Sequence, residues 1–317
     1  MRTAILVLSV DEAGMLARCL PLAAAQPGAE LVVVDNASTD ATAAVAREHG
    51  ARVVRLGHRV PYAAAMNLGL AAVDAPAVLL LNADCFLDPG FLAAARPRLE
   101  EPGVGAVAPK LRREGAPGLD AAGMVVDRRR KNGLVGHGRP VGAYGRAAPC
   151  FGADGACALY RREVLDACAL PPGPRGSGAP EVFDEDMALW ATDADLAWRA
   201  QLLGWRCAYE PAATAAHVRT YSPSTRSQVT EDHRRLQFRN RYLMWAKNET
   251  GAGLARDLPL IAAYEVAAFG YVLVRERHLL AGYREARAGL PAARRRRRLV
   301  QARRVTARPP FGLEPPP

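Results

Sequence analysis

Val78-Leu79-Leu80-Leu81-Asn82-Ala83-Asp84 carries four apolar residues of strand character straight into an amide and a carboxylate. A continuous apolar run fits a strand covered on both faces, as in a parallel sheet between two helix layers. Outward from it the pattern recurs. Ala4 to Ser9 and Leu31 to Val34 are short apolar runs that end at Ser9-Val10-Asp11 and Asp35-Asn36, and Arg52 to Leu56 is another strand candidate. Helix-like, Ala- and Leu-rich stretches lie between them: Met15 to Ala24, Ala41 to Glu48 after the N-cap candidates Ser38 and Thr39, and Ala63 to Val73. Strands alternating with helices predict an α/β fold, a mainly parallel sheet flanked by helices. Ligands of such sheets bind beyond the carboxyl ends of the strands. Ser9, Asp11, Asp35, Asn82 and Asp84 are therefore expected to face one crevice.

Further along, Arg112 to Pro149 is rich in Gly and Arg and reads as loops with room for a hairpin. Ala156 to Tyr160 reads as a strand, with a short helix near Arg161 to Ala167 and a Pro/Gly/Ser loop from Pro171 to Pro180. Ala194 to Leu203 reads as a helix stopped by Gly204. Trp205 to Tyr209 reads as a final strand, with His217 beyond it. The six cysteines form no CxxC pair and are expected to be reduced thiols. The apolar run after Arg2 is too short for a signal peptide and reads as a buried strand, so a cytoplasmic location is expected.

The 317 residues are 50% hydrophobic, which excludes a disordered chain and allows a sizeable core. The formal net charge is +10, but residues 275–317 hold twelve arginines against three glutamates. The first 274 residues are nearly neutral. A phosphate-only, salt-sensitive nucleic-acid contact through Arg294 to Arg298 is disfavoured, because the segment has few aromatics and no recognisable nucleic-acid fold. Just upstream, Leu258 to Val274 is apolar over 17 residues but contains Glu265. It fits either a helix packed on the main domain or an amphipathic element lying in a membrane interface, with the following arginines on anionic headgroups.

Neither G-x-G-x-x-G nor G-x-x-x-x-G-K-[ST] occurs. A nucleotide would have to be held by side chains and a metal. Asp84, at the end of an apolar strand, is partly desolvated and suits a hard divalent cation, or else it is a turn residue. Asp193 and Asp195 open a helix, either as dipole partners or with a general base among them. These readings pull apart. A helix N-terminus lowers a carboxylate's pKa, whereas a base needs it raised by burial or a neighbouring anion.

The order of the segments adds a resemblance. Val33-Val34-Asp35-Asn36-Ala37-Ser38-Thr39-Asp40 is followed by Asn67-Leu68-Gly69, Leu80 to Asp84, Gly155 to Glu163, Phe183-Asp184-Glu185-Asp186, Asp193-Ala194-Asp195-Leu196 and Gly204-Trp205. Over about residues 2 to 250 this resembles the family 2 inverting glycosyltransferases of GT-A fold, especially their rhamnosyltransferase-like branch. The resemblance implies a nucleotide-sugar donor, with dTDP-rhamnose or a UDP-sugar as candidates, and a glycan or lipid-linked acceptor. It implies Mg²⁺ or Mn²⁺ held by Asp84, with His217 completing the site, and Asp193 as catalytic base. Asp35 corresponds to the contact with the nucleotide base, and Asn82 falls near the ribose. Ser9, Asp11 and Asn67 fall in segments lining the nucleotide pocket, and Gly155, Trp190 and Asp195 are expected on the acceptor side.

The chain departs from the family pattern in places. Asn82 replaces the first Asp of D-x-D, Val10-Asp11 replaces Tyr-Asn, Pro61 replaces a Gly and Thr192 replaces a Glu before Asp193. The implied organisation is a GT-A domain over 1–225, with a donor half to about 110 and an acceptor half after it. A helical extension over 226–290 and a flexible, basic, Pro-rich tail over 291–317 follow. An anionic membrane surface is the expected partner of the basic segment, and no nucleic acid is expected. A nucleotidyltransferase, which would show a Gly-rich basic loop after the first strand, and a degenerate, non-catalytic scaffold are the rival readings.

Overall fold

Strand β1 (Thr3–Ser9) lies inside the sheet, between two parallel neighbours, and its alternate side chains feed two cores. Ile5 and Val7 point into one, Ala4 and Leu6 into the other, as a period of two demands. A computed structural model describes residues 1–174, 176–219 and 228–317. After β1 come α1 (Ala13–Ala24), β2 (Ala29–Asp35), α2 (Thr42–Glu48), β3 (Arg52–Arg55), α3 (Tyr62–Ala71) and β4 (Ala77–Asn82). The four strands pair in parallel in the order β3-β2-β1-β4. The order reverses between β1 and β4, so a crevice opens there at the strand ends. Registers place Ser9 opposite Asp35, and Leu8 opposite Asn82, at one level of the sheet.

Next come β5 (Cys85–Leu87), α4 (Phe91–Glu100), β6 (Val104–Arg113) and β7 (Leu119–Ala122). They are followed by β8 (Met124–Val126), β9 (Asn132–Leu134), β10 (Ala148–Cys150) and β11 (Cys157–Arg161). The stretch expected as loops with a hairpin thus holds the β8–β9 hairpin and two further short strands. Antiparallel β11 lies between β4 and β6. Helices α5 (Arg162–Cys168) and α6 (Thr192–Leu202) join α3 on one face, while α1, α2 and α4 cover the other. This is the expected α/β architecture. All six cysteines are free and buried.

The last strand, β12 (Arg206–His217), is longer than expected. It passes Pro211 through a register shift between Glu210 and Thr214 and continues beside β6. His217 is therefore the final residue of a strand rather than a residue beyond one.

Helices α7 (Glu231–Asn248), α8 (Gly251–Arg275) and α9 (Leu280–Ala302) complete the chain. The boundary expected at 225 lies outside the described residues. The one expected at 290 falls inside α9, so the segment expected as a flexible tail begins as helix. Its end is also packed: Phe311 stacks on Phe151, meets Trp198 edge-on and lies under the Arg130 guanidinium. Met244, Val300 and Phe311 share a buried cluster with Trp198, Ala194 and Met187. A buried ion network also ties Arg130 to Glu249 and Asp257 at the α7–α8 junction.

Helix α8 buries only Gly253, Asp257, Ile261 and Val272. Leu258, Leu260, Val266, Phe269, Tyr271, Leu273 and Val274 are exposed, Val266 and Val274 at 75%. Among the described residues it is the one helix long and apolar enough to cross a membrane. On α9, Ala286, Ala293 and Val300 face inward while Arg284, Arg287, Arg294, Arg295 and Arg298 are exposed at helical spacing.

Close approach of α3 to the sheet requires Gly69, where an added Cβ would lie 2.4 Å from Val34 Cγ2 and 3.3 Å from Leu6. Gly69→Ala is expected to overpack this contact and cost about 1–3 kcal/mol, read as a lowered thermal midpoint. An unchanged midpoint would refute the packing account.

Candidate active site

The crevice begins at the ends of β1 and β2. Ser9 Oγ and Asp35 Oδ2 are buried there without a hydrogen-bond partner. The other Asp35 oxygen accepts from the Ser38 amide at 2.8 Å, and the Arg55 guanidinium stands 3.7 Å from Oδ2. Buried polar atoms are normally satisfied, so this pair marks a place where a polar ligand would be held. Asp11 forms the rim and has left-handed backbone, φ 54°. The Thr39 amide and the paired Arg59 guanidinium hold its carboxyl down to about 2.

Asn67 stands elsewhere than expected. Its amide is fully used across α3, donating to the Phe183 carbonyl and Glu185 Oε1 and accepting from the Phe183 amide, each within 2.9 Å. Buried and satisfied, it staples α3 to the 183–185 segment and leaves no group for a nucleotide.

At the end of β4, Asn82 is held by its backbone amide, which donates to the Ala156 carbonyl at 2.9 Å. Asp84, 25% exposed, faces His217 Nε2 at 3.4 Å. His217 Nδ1 meets Asp120 Oδ2 at 2.8 Å. Burial alone would lower the imidazole's pKa, but the Asp120 and Asp84 carboxylates outweigh it and push it up to about 10. Nearby, burial and the Asp84 charge push Glu12 upward.

Asp120 also accepts from the Arg219 guanidinium, which extends on to pair with Asp154. Asp154 in turn acts on Asp193. The Asp193 carboxylate, half-buried, accepts from the Gly155 amide at 3.1 Å and from the Ala194 amide at 2.8 Å. Burial raises its pKa, Asp154 raises it further, and the amides oppose them less strongly. The conflict left open by the sequence is thus resolved towards a raised pKa, as a base requires.

Gly155, expected on the acceptor side, is the residue that holds Asp193. Its missing Cβ would lie 3.4 Å from that carboxylate. Trp190 sits at φ 69° in the turn leading to Asp193. Asp195 does not face the crevice. It is fully buried and receives Arg199 Nε, Lys247 Nζ and Asn248 Nδ2 at 2.8–3.0 Å, so it cannot meet an acceptor.

Asp84, His217, Asp120, Arg219, Asp154 and Asp193 therefore form one line of charges across the strand ends, four carboxylates against two cationic groups. Asp120, Asp154 and Arg219 belong to no motif in the sequence. The available signals were slight: Asp154 directly precedes Gly155, and Arg219 follows His217 at a spacing of two.

No three metal-ligating side chains converge among the described residues. The pair Asp84 and His217 has the donor chemistry for a divalent ion once His217 gives up its Nε2 proton, which a bound cation would displace. The carboxylate behind His217 Nδ1 is the support that orients a histidine for a metal at Nε2.

A family model described as glycosyl transferase family 2 matches residues 4–168. Glycosyltransferases of Mycobacterium tuberculosis and Mycobacterium bovis that carry no assigned activity are each 45% identical over 71 residues, 22% of this chain and 32% of theirs. The match thus spans about a third of the length of those curated relatives. The fold is similar to that of a mannosyltransferase from Pyrobaculum calidifontis in complex with GDP-Man and Mn²⁺, with TM-score 0.54 and 19% identity, covering 95% of this chain and 87% of that one. It is also similar to Staphylococcus aureus TarS residues 1–349 in complex with UDP-GlcNAc, with TM-score 0.58 and 15% identity, covering 95% and 91%.

Replacing Asp154 by Asn removes an anion beside Asp193 and is expected to lower the Asp193 pKa. If deprotonated Asp193 is the active form, the acid limb of kcat/KM moves to lower pH. A pH–rate profile showing no shift, or a shift upward, would refute this coupling.

Proposed function

The chain belongs to glycosyl transferase family 2 and has the GT-A fold, and we propose that it moves a sugar from a nucleotide-diphosphate sugar to an acceptor hydroxyl with inversion. The observation that carries this reading is Asp193, a carboxylate held by the Gly155 amide with its pKa raised by burial and by Asp154. In this reading Asp193 takes the proton from the acceptor hydroxyl as that oxygen attacks the anomeric carbon. Ser9 Oγ and Asp35 Oδ2, buried without a hydrogen-bond partner, receive polar groups of the nucleotide, and Asn82 lies beside its ribose. Asp84 and His217 would hold Mg²⁺ or Mn²⁺, which when bound offsets charge developing on the diphosphate leaving group. Arg219, fixed between Asp120 and Asp154, limits the repulsion among the carboxylates.

Asn82 in place of the first Asp of the D-x-D segment supports the rhamnosyltransferase-like branch. The donor is then dTDP-rhamnose or a UDP-sugar, and the acceptor a hydroxyl of a cell-surface glycan or lipid-linked intermediate. The enzyme works at the cytoplasmic face of the membrane, peripherally. Its membrane contact is the exposed apolar face of α8, an interaction area no charged residue interrupts between Leu258 and Val274 except the inward-paired Glu265. The exposed arginines of α9 and those at 275 and 277 complement anionic headgroups.

Asp193→Asn is expected to lower kcat by about 10²–10⁴-fold while donor binding persists. Full transfer by that variant would exclude Asp193 as base, and donor binding without turnover by the wild type on any acceptor would favour a scaffold. A chelator is expected to abolish transfer, with Mg²⁺ or Mn²⁺ restoring it. Asp84→Asn should lose Mn²⁺ binding by calorimetry, and unchanged binding would remove Asp84 from the metal site. Truncating the C-terminal helices would expose the core around Phe311, so point changes test the membrane contact. Val266→Glu with Val274→Glu should release most of the chain from vesicles containing anionic lipid in a sedimentation assay. Undiminished sedimentation would exclude α8.

A further inference from the structure

The turn that delivers Asp193 is strained. Ala188, Trp190 and Ala191 have φ of 60°, 69° and 56°, a left-handed region that residues with a Cβ rarely adopt. No glycine occurs between 187 and 192 to relieve it. Such a turn persists only where its surroundings hold it.

Here the surroundings are α7. Asn240 is fully buried, and its Nδ2 donates to the carbonyls of Met187 at 2.8 Å, Leu189 at 2.6 Å and Trp190 at 3.0 Å. Its Oδ1 accepts from Arg239 Nε and Nη2, at 3.0 and 2.8 Å, which fixes which way the amide points. The same guanidinium donates to the carbonyls of Asp186 and Met187. Two turns further along α7, Lys247 and Asn248 hold Asp195. One helix thus grips the chain three residues before Asp193 and two residues after it.

We propose that Asn240 is a positioning residue for glycosyl transfer: it holds the 187–191 turn in the conformation that aims the Asp193 carboxylate into the crevice. The proposal rests on Asp193 being the base. It makes the C-terminal helices, which lie outside the matched 4–168 segment, part of the catalytic apparatus. All three Nδ2 contacts end on main-chain carbonyls of the turn, so loss of the amide releases the turn rather than opening a large apolar void. A displacement of about 1 Å at a catalytic group costs on the order of 10²-fold in rate.

The test uses the full chain with the donor that supports wild-type turnover in a screen of dTDP-, UDP- and GDP-sugars with Mn²⁺. Asn240→Ala is expected to lower kcat by about 10²-fold, with the donor KM changed less than about threefold and a thermal midpoint that falls but still marks a cooperative, folded protein. Adding Ala188→Gly and Ala191→Gly to that variant should recover about tenfold of the loss, because glycine adopts left-handed φ without a Cβ clash. Wild-type kcat in a folded Asn240→Ala, with Asp193→Asn inactive, would overturn the proposal and leave the base intact. A joint collapse of kcat, donor KM and melting temperature without glycine rescue would make Asn240 merely structural and also overturn it. Activity retained by Asp193→Asn would remove the base and the proposal together.

Discussion

The strand ends gather more carboxylate than the protein's own cations offset, and the site is organised around that excess. Asp84, Asp120, Asp154 and Asp193 line up under partial or complete burial, and at Asp193 burial and the Asp154 charge together raise the pKa. Arg219 bridges Asp120 to Asp154, and His217 bridges Asp84 to Asp120. What the bridges leave over falls at the two ends of the line. Asp84 at one end is open to a cation, and Asp193 at the other is disposed to take a proton. In the proposed transfer, the same imbalance would serve both ends of the reaction.

A second consequence of burial concerns the C-terminal helices. Lys247 of α7 pairs with Asp184 and Asp195 deep in the protein, and Arg296 of α9 pairs with Glu181, Asp184 and Asp186. Removing one partner of a buried pair leaves an uncompensated charge, at a cost of about 3–5 kcal/mol. The helices are therefore joined to the 181–195 segment by electrostatic necessity as well as by the aromatic cluster around Phe311.

This alters what the basic C-terminal segment means. Arg296 is buried in ion pairs, Arg297 caps the carbonyls of Ala246 and Glu249, and Arg303 binds those of Ala167 and Ala169. These arginines serve the fold. The arginines that stay exposed include a stripe on α9, and the larger uncovered feature is the apolar face of α8.

The α/β core was legible because continuous apolar runs and the alternation of strand and helix are local properties of the chain. Ser9, Asp35 and Asp84 could be placed at the crevice because polar residues at the ends of such runs fall where parallel sheets bind ligands, whereas Asp193 stood out only by its place at a helix start and by the family resemblance. Asn67 and Asp195 looked alike in the sequence but are consumed by partners 116 and 52–53 residues away. Arg219 reaches Asp120 and Asp154 across 99 and 65 residues, and Asn240 reaches the Asp193 turn across 50–53. By itself, then, the sequence determined the sheet, its crevice and the types of group available there. Only the tertiary structure decided which carboxylates are neutralised, which remain reactive and what holds them, because hydrogen-bond saturation and pKa depend on neighbours that the chain brings together only on folding.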